Sequence, residues 1–166
     1  VARVLDRNQI RLRELGVKLR ELDPPCLITS ARGSSDHAAA YLKYAAEILS
    51  GKPVASVGAS VVSVYGAKLN VDRAACFTIS QSGQSPDIVQ VQSAANEGGA
   101  YTVAMVNTED SPAARQADLL LPLCAGKEQS VAATKSFIAS LAAAAAVISN
   151  WVEDESLIKA LHTLPE

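Results

Sequence analysis

The chain has 166 residues, of which 49% are apolar and 19% charged, a composition typical of one globular domain with a full hydrophobic core. Its formal net charge of −2 and its aromatic content of 4% argue against nucleic acid or an anionic membrane as a partner. Cys26, Cys76 and Cys124 are widely spaced and lie in or beside apolar runs, which predicts reduced core thiols in a cytoplasmic protein and no metal site.

The first segment predicts an amphipathic helix. Apolar residues recur at three- and four-residue steps between Arg and Glu, and Pro24 and Pro25 end the pattern. We expect residues 1–23 to form a helix that packs on the domain or on a partner. The alternation of charge excludes a secretory signal here, and Val1 in place of Met leads us to expect a longer parent chain.

Five short apolar runs then alternate with helical segments. Several runs are apolar on both faces, which is typical of a parallel sheet covered by helices on both sides. The predicted strands are residues 26–31, 53–59, 75–79, 101–106 and 119–123. The predicted helices are residues 35–49, 85–96, a short one from 111, and 131–151, with a turn or helix at 60–65. The sequence therefore predicts an α/β fold, a doubly wound, three-layer αβα sandwich with a five-stranded parallel sheet.

The long Ala-rich helix supports two interpretations. The apolar stretch at residues 137–152 is too short and too rich in Ala and Ser for a membrane span. Residues 141–147 are apolar nearly all round, so this helix must be buried on more than one side. We expect it to mediate a homodimer, the alternative being that the domain itself covers it.

The most informative stretch is residues 80–87, Ser-Gln-Ser-Gly-Gln-Ser-Pro-Asp, directly after the predicted strand 75–79. Ser85 suits an N-cap, Pro86 the first helical position and Asp87 the positive end of the helix dipole. The result is a hydroxyl-rich loop with unpaired backbone N–H groups, typical of a phosphate site without a cation. An ordinary turn before a capped helix is the alternative.

Three such loops should meet at one edge of the sheet. Residues 32–35, 80–85 and 126–135 follow the first, third and fifth predicted strands, and ligands of doubly wound folds bind at the carboxyl ends of the strands. Their hydroxyls and amides indicate a small, polyhydroxylated, anionic ligand. The chain has neither of the glycine-rich motifs that bind ATP or NAD, so no cofactor is expected.

These loops carry a resemblance. Residues 31–39 (ARGSSDHAA), 79–87 (ISQSGQSPD) and 131–137 (VAATKSF) resemble the three signature segments of SIS domains, the sugar isomerase fold. The resemblance covers residues 24–150 and is strongest to the first SIS domain in the isomerase half of the glutamine:fructose-6-phosphate aminotransferases. It implies a SIS domain at residues 24–152, followed at 153–166 by a C-terminal helix and the start of a linker to a second SIS domain.

The resemblance also implies which residues bind. The residues implied for the phosphate are Ser80, Gln81, Ser82, Gly83 and Ser85. The residues implied for the sugar are Arg32, Gly33, Ser34, Ser35, Val131 and Ala133. The sequence departs from the family at Ala133, where the family has Ser, at Arg32, where the synthase has a small residue or Cys, and at Val61, where it has Glu. Arg32 could meet an acidic group of a ligand or partner, or be solvated. These departures leave the sugar undefined.

Catalytic residues are not evident. In two-domain relatives the base, the Schiff-base lysine and the ring-opening histidine belong to the second domain or to a neighbouring subunit. Glu128 lies at the expected binding edge and is a weak candidate base. Glu47 is expected to have a surface or pairing role, and His37 and His162 to be structural or solvated.

The sequence thus favours a sugar-phosphate-binding domain, the N-terminal half of a two-domain isomerase, aminotransferase or deaminase that acts on fructose 6-phosphate or glucosamine 6-phosphate. A non-catalytic phosphosugar-sensing module is the alternative, and a helix-covered scaffold without a ligand is the third interpretation.

Overall fold

The computed structural model describes residues 1–129 and 133–164. In this part of the chain, a five-stranded parallel sheet lies between two layers of helices, which confirms the predicted αβα sandwich. The strands are β1 (Leu27–Ala31), β2 (Val54–Ser56), β3 (Ala75–Ser80), β4 (Tyr101–Val106) and β5 (Leu119–Pro122). The helices are α1 (Ala2–Leu22), α2 (Ser34–Ser50), α3 (Ala59–Ser63), α4 (Pro86–Glu97), α5 (Pro112–Gln116), α6 (Thr134–Trp151) and α7 (Glu155–His162).

The strand order contains one switch point. The order is β2-β1-β3-β4-β5, and all four neighbouring pairs are parallel. The chain moves outward from β1 to β2 and then crosses back to β3, so the order reverses between β1 and β3. At such a switch point the loops after the two strands separate toward opposite faces of the sheet and leave a crevice at their carboxyl ends.

The two faces of the sheet bury different side chains because successive residues of a strand point to opposite sides. On one face, Leu27, Phe77 and Met105 pack in the main core with α1, α2 and α6. On the other face, Ile28 and Cys76 pack with residues of α4. Both faces of the central strands are therefore apolar and covered, as the near-continuous hydrophobic runs of the sequence require.

Helix α6 is covered within its own chain. It packs between α1 and α2 on the main core face, and all residues from Ala142 to Ile148 are buried there. Alanine lets these helices approach closely, so the small side chains serve intramolecular packing. The structure therefore supports the alternative that the domain itself covers residues 141–147, and the homodimer stays a prediction.

Two boundaries differ from the sequence expectation. The strand predicted at residues 53–59 is only Val54–Ser56, because β2 is an edge strand that pairs with β1 alone and Gly58 already caps α3. The described part of α6 begins at Thr134, and residues 131 and 132 of its predicted start lie outside the described residues. None of the helices in the described residues has the length and hydropathy needed to cross a bilayer.

Candidate functional site

The loop after β3 is organised by its own hydroxyls. The Gly83 N–H donates to Ser80 Oγ over 3.0 Å, and the Gln84 N–H donates to Ser82 Oγ over 3.3 Å. A hydroxyl that accepts a backbone hydrogen bond still has its own O–H to donate. Ser80 and Ser82 are both partly exposed. Their oxygens are thus fixed by the backbone, while their protons can be donated to an anion.

The start of α4 directly continues this loop. Ser85 is the N-cap residue as predicted, but its hydroxyl makes no capping hydrogen bond, which corrects the expected role of its side chain. Pro86 occupies the first helical position, and the N–H groups of Asp87 and Ile88 have no partner within the helix, as at any helix N-terminus. The positive end of the helix and a free hydroxyl are therefore available at one point.

Gly83 holds the loop against a neighbouring segment. It is buried with a φ of +62°, and a Cβ built on it would lie 2.3 Å from Ser111 Oγ and 2.9 Å from Ser111 Cβ. The Ala113 N–H donates to the Gly83 carbonyl over 3.1 Å. Only glycine combines this backbone conformation with so close an approach. The loop therefore rests directly on the segment that begins α5.

The loop after β1 presents a second helix N-terminus. Gly33 is the N-cap of α2, with φ 57° and ψ −132°, a conformation that essentially only glycine adopts. Ser34 is exposed and Ser35 partly exposed in the first turn of α2, which has no side-chain cap. Since β1 and β3 are neighbours, the N-termini of α2 and α4 lie on the two sides of the switch point.

An ion pair joins these two loops. Arg32 Nη1 lies 2.9 Å from Asp87 Oδ2, and the two side chains are 65% and 25% exposed. The other carboxylate oxygen, Asp87 Oδ1, is buried and has no hydrogen-bond partner within the described residues. Arg32 was implied as a sugar contact, and its carboxylate partner 55 residues away was not foreseen.

Asn107, for which the sequence analysis makes no prediction, connects the central loop to the loop after β5. Its N–H donates to the Gln81 carbonyl over 3.2 Å. Its side-chain Nδ2 donates to the Gly126 carbonyl and its Oδ1 accepts from the Ala125 N–H, both over 2.8 Å. The available signal was its position, the first residue after a buried strand at the carboxyl edge.

Glu128, the weak candidate base, caps α6. Its Oε2 accepts from the N–H and Oγ of Ser136 over 3.1 and 3.0 Å, and its Oε1 accepts from the Lys135 N–H over 3.3 Å. Desolvation raises the pKa of Glu128, but the hydrogen bonds from Ser136 and Lys135 and the charge of Lys135 outweigh it and hold the pKa below its ordinary value. A carboxylate with both oxygens engaged and a lowered pKa is a weak general base.

Glu128 takes the place of a capping side chain that Ala133, the N-cap residue, cannot provide. Of the two residues of this segment that were implied for the sugar, Ala133 is partly exposed at the start of α6, and Val131 lies outside the described residues.

The other polar candidates have the minor roles that were predicted. Glu47 Oε1 accepts from the Val54 N–H over 3.2 Å and lies 3.9 Å from Lys43 Nζ, so it pairs. His37 and His162 are exposed. All three cysteines are free, and burial raises the pKa of the Cys76 thiol to about 12. In the described parts of the chain, no group of three His, Cys, Asp or Glu side chains could hold a metal ion.

The five residues implied for the phosphate thus share one loop, and the four from Arg32 to Ser35 share the neighbouring loop. A wide surface depression of about 820 Å³ lies farther along the same edge, lined by Asn107, Lys127 and residues of α1. It contains none of the residues implied for phosphate or sugar, so the polar loops at the switch point, and not this depression, define the candidate site.

The chain is also similar in sequence to known proteins. The family model for the SIS domain matches residues 24–150. The chain is 37% identical over 136 residues to the glutamine–fructose-6-phosphate aminotransferase (isomerizing) of Aquifex aeolicus, an alignment that covers 81% of this chain and 23% of that protein. It is 36% identical over 154 residues to the enzyme of the same name from Methanothermobacter thermautotrophicus, covering 92% of this chain and 25% of that protein.

Solved structures are also similar to the chain. A candidate phosphosugar isomerase from Silicibacter pomeroyi has a TM-score of 0.93 at 47% identity, covering 96% of this chain and 49% of that one. The C-terminal domain of the glucosamine-fructose-6-phosphate aminotransferase from Francisella tularensis has a TM-score of 0.74 at 26% identity, covering 90% of this chain and 42% of that one. The chain thus spans about a quarter of the curated relatives and about half of these solved chains.

Proposed function

The chain belongs to the SIS domain family, and on this basis we propose that it binds the phosphate of a hexose or hexosamine 6-phosphate between the loops after β1 and β3. The observation that carries the proposal is the pair of helix N-termini at the switch point, those of α2 and α4, neither of which is capped by its own N-cap side chain. Helix N-termini with free N–H groups are ready-made anion sites.

The chemistry of the loop fits a phosphate monoester. Ser80, Ser82 and Ser85 can each donate an O–H, and the N–H groups of the first turn of α4 add backbone donors next to this loop. Ser34 and Ser35 follow β1, the strand next to β3, and are expected to bond sugar hydroxyls. The names of the relatives mention fructose 6-phosphate, and one of them also mentions glucosamine, which favours a hexose or hexosamine 6-phosphate as the ligand.

We further propose that the parent protein is an isomerase, aminotransferase or deaminase whose catalytic base lies outside this chain. Holding a sugar phosphate and moving its C2 proton are separate tasks, and the second needs a base with a pKa near the working pH. Glu128 is engaged in capping α6 and has a lowered pKa, so the described loops supply binding groups without a tuned base. A second domain is the expected source of that base.

Calorimetric titration with fructose 6-phosphate and glucosamine 6-phosphate tests the binding site. Ser82→Ala removes one hydroxyl donor to a charged group and should weaken binding by about 1.5–3 kcal/mol. Ser93→Ala, on an exposed turn of α4 away from the loop, is the matched control and should bind as the unsubstituted chain does. Equal affinities of the Ser82→Ala variant and the unsubstituted chain would contradict the assignment.

Exchange of the C2 proton in deuterated water tests the second proposal and separates an enzyme from a sensor. The chain alone should bind without exchange, whereas the longer parent protein should exchange if it is an enzyme. Exchange by the isolated chain that disappears in Glu128→Gln would show that the base is present here. Binding without exchange by the full parent protein would favour a phosphosugar-sensing module.

A further inference from the structure

The candidate phosphate site contains a negative charge that would repel an anionic ligand. Asp87 lies in the first turn of α4, the helix whose N-terminus forms the site. A phosphate monoester is largely a dianion at pH 7, because its second pKa is about 6. Carboxylate and ligand would thus place like charges at the same helix end, where each disfavours the other.

Arg32 is placed to offset this charge. Its guanidinium reaches across the switch point from the loop after β1 and bonds Asp87 Oδ2 at 2.9 Å. Among the described residues, no other ion pair is found for Asp87, and Asp87 Oδ1 is buried without a partner. The bond uses one of the five N–H donors of the guanidinium, and 65% of the Arg32 side chain remains exposed at the edge of the site.

The ion pair is expected to contribute little to the stability of the fold. Exposed pairs contribute little to stability, because solvent screens them and the long side chain loses entropy. The positive charge of Arg32 has a larger effect on the binding of a dianion nearby, because the potentials of neighbouring charges add at short range. The position of Arg32 is therefore best explained by ligand binding.

We propose that Arg32 neutralises Asp87 so that the N-terminus of α4 can accept a doubly charged phosphate. The inference rests on the proposed function, since it assumes that the loop of residues 80–85 holds a phosphate. Under this proposal, Arg32 adds a cation to a site that otherwise consists of hydroxyls and backbone N–H groups. Arg32 then selects ligands by their charge more than by their shape.

The test is a double-mutant cycle with two ligands of the same shape. Arg32→Gln, Asp87→Asn and the double variant are titrated with glucosamine 6-phosphate and with glucosamine 6-sulfate, which carries one negative charge fewer. Lys52→Gln is the matched control, because it breaks the Lys52–Asp23 pair at the opposite, amino edge of the sheet and changes the net charge equally. Urea unfolding of each variant checks that the fold is unchanged.

Arg32→Gln should weaken binding of the phosphate at least about tenfold, which corresponds to about 1.4 kcal/mol, and binding of the sulfate by a smaller factor. The double variant should regain most of this loss, because it removes the uncompensated carboxylate as well. Lys52→Gln should bind like the unsubstituted chain.

Two results would overturn this inference and leave the proposed function standing. One is binding of glucosamine 6-phosphate by Arg32→Gln with unchanged affinity. The other is a double variant as weak as Arg32→Gln, which would mean that Arg32 contacts the ligand without offsetting Asp87. If the unsubstituted chain bound neither glucosamine 6-phosphate nor fructose 6-phosphate, the proposed function would fail and this inference with it.

Discussion

Gly83 provides a direct test of how the loop of residues 80–85, the proposed phosphate loop, is held. Replacing it with Ala places a methyl group where the structure leaves 2.3 Å to Ser111 Oγ and 2.9 Å to Ser111 Cβ. Ser111 is fully buried and its hydroxyl caps α5, so it has little room to move. The substitution should therefore displace the loop of residues 80–85 as well as strain its backbone.

The magnitude follows from two contributions. A side chain in the left-handed region costs about 1–2 kcal/mol, and overpacking a filled site costs about 1–3 kcal/mol. Gly83→Ala should thus lower the free energy of unfolding by about 2–5 kcal/mol, a large share of the 5–15 kcal/mol that is typical of a domain. Gly66 has almost the same φ, +60°, with nothing within 4 Å of its added Cβ, so Gly66→Ala should cost only the strain of about 1–2 kcal/mol.

Urea unfolding gives both values, and the difference between them isolates the contact with Ser111. The Gly83→Ala variant should also lose affinity for glucosamine 6-phosphate, whereas Gly66→Ala should keep it. Equal losses of stability in the two variants would refute the reasoning, because Ser111 would then yield to the methyl group at no cost.

Two further predictions concern the neighbouring loops. Asn107→Ala removes two side-chain hydrogen bonds to the loop after β5 and should lower the free energy of unfolding, measured in urea, by about 1–3 kcal/mol. Asn96→Ala, which loses one exposed 3.4 Å contact, is the control. The prediction would be contradicted if Asn107→Ala lost no more stability than Asn96→Ala. Because hydrogen bonds lower the pKa of Glu128, its charged form stabilises the fold fully above its ordinary pKa of 4.5, and this contribution is lost as the pH falls through the lower folded value. Glu128→Gln should therefore be less stable than the unsubstituted chain at neutral pH, with a gap in melting temperature that closes in acid; a pH-independent gap would contradict the capping role.

Local patterns were sufficient to predict the strands and the two principal loops. The buried strands β3 and β4 are near-continuous apolar runs, and the change from Ile79 to the hydroxyl-rich segment marks the end of β3. Pro86 fixes the start of α4 in the same way, through its missing N–H. These signals reside within a few residues of the feature that they predict, so the sequence carries them without the fold.

The connections between loops could not be predicted because each joins residues far apart in the chain. Arg32 and Asp87 meet only because β1 and β3 are neighbours, and the sequence alone does not determine which strands pair. The role of Asn107 depends on the loop after β5, which lies next to its side chain only in the folded structure. The surroundings of α6 likewise depend on α1 and α2, which share its face of the sheet.

The same physical features explain why binding and catalysis can be separated in this chain. Helix N-termini offer donors that need no titration, so the proposed phosphate site at the loops of Gly33 and Ser85 should bind at any pH at which the ligand is charged. A proton-transfer group has the opposite requirement, a carboxylate or imidazole that stays free and whose pKa is raised or held near neutrality. At the third loop, the Glu128 carboxylate stabilises α6, and the bonds that make it a good cap also lower its basicity. One carboxylate cannot serve both purposes, so under the proposed function the base for the C2 proton is expected to come from an element other than these loops.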